Sequence, residues 1–388
     1  MYRKPIRTGI MTILLSIMLM IVLSACDDRT AGSAGQNTDG NRESAASAAQ
    51  NTKGSSESAD SDVKNTSEAG CTTDTGVLHA ESVEPGTRDP RSQLQEQTED
   101  AEEKGDIQTG QYDMIRNPNV TACLQELDRQ NVLYPQKDLK ESETQYTEEQ
   151  AYEIRELGGY KLPENSRQDL KNMLNSVYAP GYTMGFVMMD LGTGQGICFN
   201  KDNKYYSASS TKSSFVVSLA KERPDVVDSR RQYLVQITTN SDNDSYFMLE
   251  YDYGQEIHRD YAKTAGVDLE LEEGGFAEVS AEDLTRLWLL NYDYFCSNER
   301  GDLVGSWFET PTYSAICASL GEDYVTRTKP GWIGGMLHNS SIDAGIVYAE
   351  EHPYVMTVMS DFPSNLEDLQ ETVLLLDRIH GSMFGESE

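Results

Sequence analysis

Tyr205-Tyr206-Ser207-Ala208-Ser209-Ser210-Thr211-Lys212 runs directly into Ser213-Ser214-Phe215-Val216-Val217-Ser218-Leu219-Ala220-Lys221. The second stretch is mostly apolar and long enough for a helix, so Ser210 to Lys221 is read as one. Upstream, Tyr182 to Asp190 (YTMGFVMMD) reads as a buried strand that turns at Gly192-Thr193-Gly194, with Gln195 to Asn200 as its hairpin partner. Ser209 therefore stands where a hairpin and a loop give way to a helix. Residues i and i+3 of a helix share a face, so the Lys212 amine can reach the Ser209 hydroxyl. Two further S-x-x-K matches, Ser61 to Lys64 and Ser218 to Lys221, lack that context: the first lies in a polar stretch, the second inside the helix.

Working outward, Glu164 to Val177 has Leu170, Met173, Leu174 and Val177 on one face of an amphipathic helix. Helical patterns also run over Val120 to Asn131 and Glu148 to Leu157, in a segment 112–163 to which the sequence gives no role. Leu234 to Thr239 and Tyr246 to Tyr251 read as helical around a polar turn. Ser280 to Phe295 is a helix whose Glu282 and Asp283 sit in the first turn, where the backbone dipole favours acids. Gly345 to Tyr348 and Tyr354 to Ser360 read as strands, and Leu366 to Phe384 as a final helix. Strands at both ends with helices between them predict an α+β fold, its antiparallel sheet flanked by helices and shared by the first and last segments.

The 388 residues carry 64 acidic and 32 basic side chains, a net charge of −32. So acidic a chain is a poor partner for nucleic acid or for a bare anionic membrane surface. The N-terminus has Arg3, Lys4 and Arg7, then an apolar run from Ile10 to Ala25, too short for a transmembrane helix and patterned as a secretory signal over 1–25. It ends Leu23-Ser24-Ala25-Cys26, which resembles the bacterial lipobox; that implies lipidation of Cys26, an anchor in the cell membrane and an extracytoplasmic protein. Residues 27–111 contain no Phe, Tyr or Trp and are rich in Ser, Ala, Gly and Asn, so 26–111 reads as a disordered acidic tether with a reach of roughly 50 Å. The tether accounts for −11 of the charge, leaving −24 on residues 112–388. Five cysteines besides Cys26 cannot all pair within one chain, which predicts mostly buried free thiols with room for one disulfide. The five histidines show no metal-ligand spacing, so no metal and no cofactor are expected.

Three motifs follow in order: Ser209-Ser210-Thr211-Lys212, Ser241-Asp242-Asn243 and Lys329-Pro330-Gly331-Trp332. Their order resembles the S-x-x-K, S-D-N and K-T-G signature of serine β-lactamases and penicillin-binding proteins. The resemblance covers roughly residues 165–388, so 164–388 reads as the hydrolase domain, and it is closest to the class A β-lactamase branch. The short spacing from Ser209 to Ser241 implies a reduced all-helical subdomain.

The resemblance implies Ser209 as nucleophile, Lys212 as its base and Ser241 as the proton relay to the leaving nitrogen. Asn243, Lys329, Gly331 and Trp332 would bind substrate, with Ser209 and Trp332 at the oxyanion positions. The substrate would be a β-lactam or a D-Ala-D-Ala-type peptidoglycan peptide, the enzyme a monomer. Two departures stand out. Pro330 removes the hydroxyl expected after the lysine, for which Arg327 is a candidate compensation. No E-x-x-L-N pattern supplies a deacylating glutamate; Glu270, Glu272, Glu273 and Glu278 are candidates by proximity, or plain solvated loop acids. Without that base an acyl-enzyme is long-lived, which favours a penicillin-binding or peptidase role, and an inactive wall-binding or sensing lipoprotein is the alternative reading.

Overall fold

A computed structural model describes residues 112–134, 153–272 and 274–385. The signal segment, Cys26, the tether, Cys71, His79 and Glu273 lie outside the described residues, so the expectations placed on them stay expectations.

Helix α1 (Pro118–Leu133) is followed by strand β1 (Arg155–Leu157), helix α2 (Glu164–Tyr178), strands β2 (Met184–Asp190), β3 (Gly196–Phe199) and β4 (Lys204–Tyr206), and helices α3 (Lys212–Glu222), α4 (Val226–Ser229), α5 (Arg231–Asn240), α6 (Asn243–Tyr253) and α7 (Glu256–Lys263). Strand β5 (Glu278–Ser280), helices α8 (Ala281–Ser297), α9 (Gly301–Ser306) and α10 (Ala315–Leu320), strands β6 (Val325–Thr328), β7 (Gly331–Gly334), β8 (Asn339–Tyr348) and β9 (Tyr354–Ser360), and helix α11 (Gln370–Met383) complete the order.

The main sheet runs β1-β3-β2-β9-β8-β6, with β7 also on β8, and every pairing is antiparallel. First and last segments share it as expected: Met184 faces Ser360 and Asp190 faces Tyr354 across β2 and β9. Every residue of β2 and β9 is buried, because the sheet is covered on both faces. Val187 and Met189 of β2 point into one core with α1, α3 and α8, while Phe186 and Met188 point into another with α2, α10 and α11. This period-two alternation of large apolar side chains is what a doubly covered strand requires.

Helix α8 crosses the centre of the first core. Its start is fixed by a capping box, Ser280 Oγ accepting from the Asp283 N–H while the Asp283 carboxylate accepts from the Ser280 N–H. Trp288 on it is fully buried, and truncating such a side chain to Ala costs about 3–5 kcal/mol.

Residues Arg155–Leu157, read as the end of a helical pattern, form an edge strand on β3 instead. Glu153 to Leu157 places Ile154 and Leu157 in different cores, a strand's two-sidedness that a helical wheel hides. Helix α1 is bound into the same core: Arg286 of α8 donates to Asp128 at 2.7 Å and to Glu282 at 2.7 Å, and Tyr112 donates to Asp128 at 2.7 Å. Cys123 and Cys198 are buried, Cys296 is exposed and Cys317 half-buried, so the expectation of burial holds for two of the four described.

Candidate active site

Ser209 lies in the turn that leads into α3, with Ser210 N–H bonded to Ser207 O at 3.1 Å and Lys212 N–H to Ser209 O at 3.2 Å. Ala208, just before it, has φ +44°, a left-handed value uncommon outside glycine. That kink ends the chain's run from β4 and leaves Ser209 half-exposed while Ser210 to Ser214 are buried. Lys212 is the first residue of α3 and is fully buried. Its Nζ donates to Ser241 O at 2.9 Å and to Asn243 Oδ1 at 2.5 Å, so the first two motifs meet.

Ser241 ends α5 in the left-handed region, φ +57° and ψ 28°. A serine pays strain there, and the result is a carbonyl aimed at Lys212. Asp242 then caps α6 by accepting from Ser245 N–H at 2.8 Å. Asn243 is exposed.

The third motif closes on the other two. Lys329 follows β6, is fully buried and donates to Ser241 Oγ and, at 2.8 Å, to Pro330 O. Gly331 opens β7 so close to the serine turn that a Cβ there would stand 2.5 Å from Ser207 O, 2.5 Å from Ser210 N and 2.9 Å from Ser209 N. Only glycine fits such an approach. Trp332 is half-buried opposite Ser341, its ring edge-on to Tyr313 at 5.5 Å. All seven residues singled out in the sequence are thus gathered at one place.

Two lysines share this small buried volume. Burial pushes Lys212 down to about 7, opposed by the Asp242 carboxylate. Lys329 is held well below its ordinary value by burial first and by the charge of Lys212 second, with Asp343 pulling it back. Two buried ammonium groups in one site repel, so the first proton is lost far more easily than from a free lysine.

Sequence reasoning missed Tyr246 and Phe276, whose rings lie 4.9 Å and 5.8 Å from Lys212 Nζ. Tyr246 is fully buried and donates to Gly275 O at 2.8 Å. Its place three residues after Asn243, one turn along α6, was the available signal. Among the described residues Asp242 is the carboxylate that acts on Lys212; Glu270, Glu272 and Glu278 enter no interaction with it. Arg327 does not compensate for Pro330. It is buried, donating to Asp302 at 2.6 Å and Glu309 at 3.0 Å and stacked at 5.0 Å over Tyr348. Arg327 and Lys329 flank Thr328 on one face, beside Ile346 and Ala344 of β8, but the guanidinium is held by its two acids while Lys329 reaches Ser241.

A family model described as the beta-lactamase enzyme family matches residues 229–379. That span includes the second and third motifs and begins after Ser209. The chain resembles the serine β-lactamases and penicillin-binding proteins. Among solved structures, a beta-lactamase from Chitinophaga pinensis is similar over 57% of this chain and 98% of its own at 17% identity and TM-score 0.46. For a beta-lactamase from Sphaerobacter thermophilus the figures are 57%, 98%, 13% and 0.48, and for PBP-A 58%, 98%, 18% and 0.44. No curated protein matches the chain. The described residues form an antiparallel sheet with helices on both faces, with α3–α7 inserted between β4 and β5.

Proposed function

We propose that this protein is a serine acyl-transfer enzyme that forms an ester on Ser209 and releases it slowly. The observation that carries the reading is the hydrogen bonding of Lys212. A neutral amine has two N–H donors and one lone pair. Ser241 O and Asn243 Oδ1 take the two hydrogens, so the lone pair remains to accept from Ser209.

Lys212 removes the Ser209 proton as Oγ attacks the substrate carbonyl carbon. The oxyanion that forms would be met by the Ser209 N–H and by that of Trp332, the residue after Gly331, whose own close approach is to Ser209 N. On collapse the C–N bond breaks and the leaving nitrogen takes a proton from Ser241 Oγ, which Lys329 polarises. Asn243 keeps two amide N–H donors for the substrate's side-chain carbonyl.

Hydrolysing the ester needs an oriented water and a base. Among the described residues Lys212 is flanked by the Tyr246 and Phe276 rings and by Asp242, whose carboxylate caps α6, which supports a long-lived acyl-enzyme. Both β-lactams and D-Ala-D-Ala-type peptides fit this chemistry. Lipidation at Cys26 would hold the enzyme at the membrane's outer face; labelled fatty acid should enter the wild type and not Cys26→Ser.

Labelling with a fluorescent penicillin tests the assignment. A covalent adduct on the Ser209 peptide is expected, as a burst without steady nitrocefin turnover. Equal labelling of Ser209→Ala, or none of the wild type, would sink the reading and favour an inactive wall-binding homologue.

A further inference from the structure

Helix α6 leaves the site at Asn243 and carries aromatic side chains on both of its faces. Tyr246 and Leu249 are buried in the core, whereas Phe247 is 40% and Tyr251 90% exposed. Asn243, Phe247 and Tyr251 are four residues apart, so they follow one face of the helix over about 12 Å. The apolar surface continues past Phe247. Its ring meets Phe276 at 6.1 Å, Phe276 meets Tyr206 at 5.9 Å, and Tyr206 is stacked on His338 at 4.1 Å. Phe276, Tyr206 and His338 are each half-buried, so solvent meets a ridge of five aromatic side chains. The ridge passes the base itself, with the Phe276 ring 5.8 Å from Lys212 Nζ. Single exposed apolar side chains are ordinary, but a contiguous row that begins in a reactive site marks a ligand surface.

Acids flank the rings. Helix α6 has no basic residue, while Asp244 and Asp252 are exposed on it. Glu272 is exposed in the tight loop that presents Phe276, its N–H donating to Phe276 O at 2.7 Å. The two cations nearby are engaged: Arg230 pairs with Asp252 at 3.2 Å, and Arg259 donates to Gln255 at 2.6 Å. Rings interleaved with carboxylates match a chain that is partly apolar and carries an amine, since both groups attract an ammonium. A neutral sugar polymer would use the rings and leave the acids unmatched. The stretch from Asn243 to Tyr251 equals roughly three to four residues of extended peptide.

We propose that this ridge is an extended subsite for a peptide acyl donor, holding the residues on the N-terminal side of the scissile bond and favouring a side chain with a free amine. The proposal rests on the Ser209 reading and names the substrate class within it, an amine-bearing peptide rather than a small β-lactam.

Calorimetry on full-length Ser209→Ala, which binds without forming the ester, reads the subsite directly. The probes are acetyl-D-Ala-D-Ala and the pentapeptide acetyl-Ala-Gln-Lys-D-Ala-D-Ala, the latter with its lysine amine free or acetylated. The free-amine pentapeptide should bind about tenfold more tightly than the dipeptide and, at low salt, about threefold more tightly than its acetylated form. Adding Phe247→Ala or Tyr251→Ala should cut the advantage of the longer peptide by about threefold each. Leu374→Ala, which removes an exposed apolar side chain of α11, is the control and should leave that advantage in place. A dipeptide that binds as tightly as the pentapeptide, or an advantage kept in both ridge variants, overturns the proposal. So does acetylation that leaves binding unchanged, or a gain that appears only when a disaccharide is attached to the peptide. Absence of wild-type penicillin labelling at Ser209 refutes the acyl-enzyme reading instead, and the calorimetry still decides the ridge.

Discussion

Replacing Gly331 by alanine should stop acylation while leaving most of the fold intact. The added Cβ would stand 2.5 Å from Ser207 O, 2.5 Å from Ser210 N and 2.9 Å from Ser209 N. Carbon contacts settle at about 3.5–4.0 Å, so β7 and the serine turn must part by roughly 1 Å. Neither side yields easily. The turn is held by Ser207 N–H on Ala277 O at 2.8 Å and by Ser210 Oγ on Ser207 O at 2.8 Å; β7 is held by its pairing to β8. Overpacking of this kind costs about 1–3 kcal/mol. The larger effect is on rate, because the parting separates the Ser209 and Trp332 N–H groups, and a misplacement of about 1 Å costs on the order of a hundredfold. Gly335→Ala, on the same hairpin with nothing within 4 Å of its Cβ, is the control and should behave as wild type. Time courses of fluorescent-penicillin labelling, with thermal melts alongside, read both effects. Gly331→Ala labelling within about threefold of wild type would refute the reasoning, since the two donors would then not depend on the approach.

Lys212→Met should abolish labelling and raise the melting temperature at pH 7 by a few degrees. Burial holds Lys212 near 7 in the fold against 10.5 ordinarily, so between those values the unfolded chain binds more protons and the fold gains stability as pH rises. The variant's advantage should therefore shrink from pH 7 to pH 10; a variant less stable than wild type at pH 7 would contradict this. Arg327→Gln should cost about 1–2 kcal/mol in melts, mostly from lost packing and the bond to half-buried Glu309, since Asp302 is solvated without it. Its labelling rate, measured on the folded fraction, should stay within about twofold, and a tenfold rise in KM would restore Arg327 to the substrate. Capture of an anionic penicillin by a domain carrying −24 should speed up as salt rises from low ionic strength, since screening weakens the repulsion; a rate that falls with salt would show local steering to dominate.

The central strands and the long helices were legible because their side chains repeat at a clear period. Tyr354 to Ser360 was read with the boundaries that the structure has, and the start of α8 was placed within one residue through the acids of its first turn. The short strands β4, β5, β6 and β7 were not: three or four residues are too few to show alternation, and their pairing is long-range. Helices α7, α9 and α10 were missed for the same reason. The three motifs could be quoted from the sequence, but their mutual contact could not. Bringing them together depends on left-handed turns at Ala208 and Ser241, residue types that do not announce such a backbone. Arg327 was misjudged because its partners Asp302 and Glu309 lie 25 and 18 residues away in sequence, so nearness to Lys329 does not reveal that the guanidinium is already engaged.

The opposed charges of the domain and of its centre follow from one requirement. A surface carrying −24 favours protonated amines nearby, which would keep a surface lysine charged and useless as a base. Solvent screens that field within about 8 Å of exposed charges at physiological salt, whereas burial acts on the lysine directly. Lys212 and Lys329 are both fully buried, so desolvation and their mutual repulsion outweigh the acidic exterior, and the proton count of the site is decided locally. The site we propose thus sets two buried lysines, Lys212 and Lys329, beside two half-exposed serines, Ser209 and Ser241.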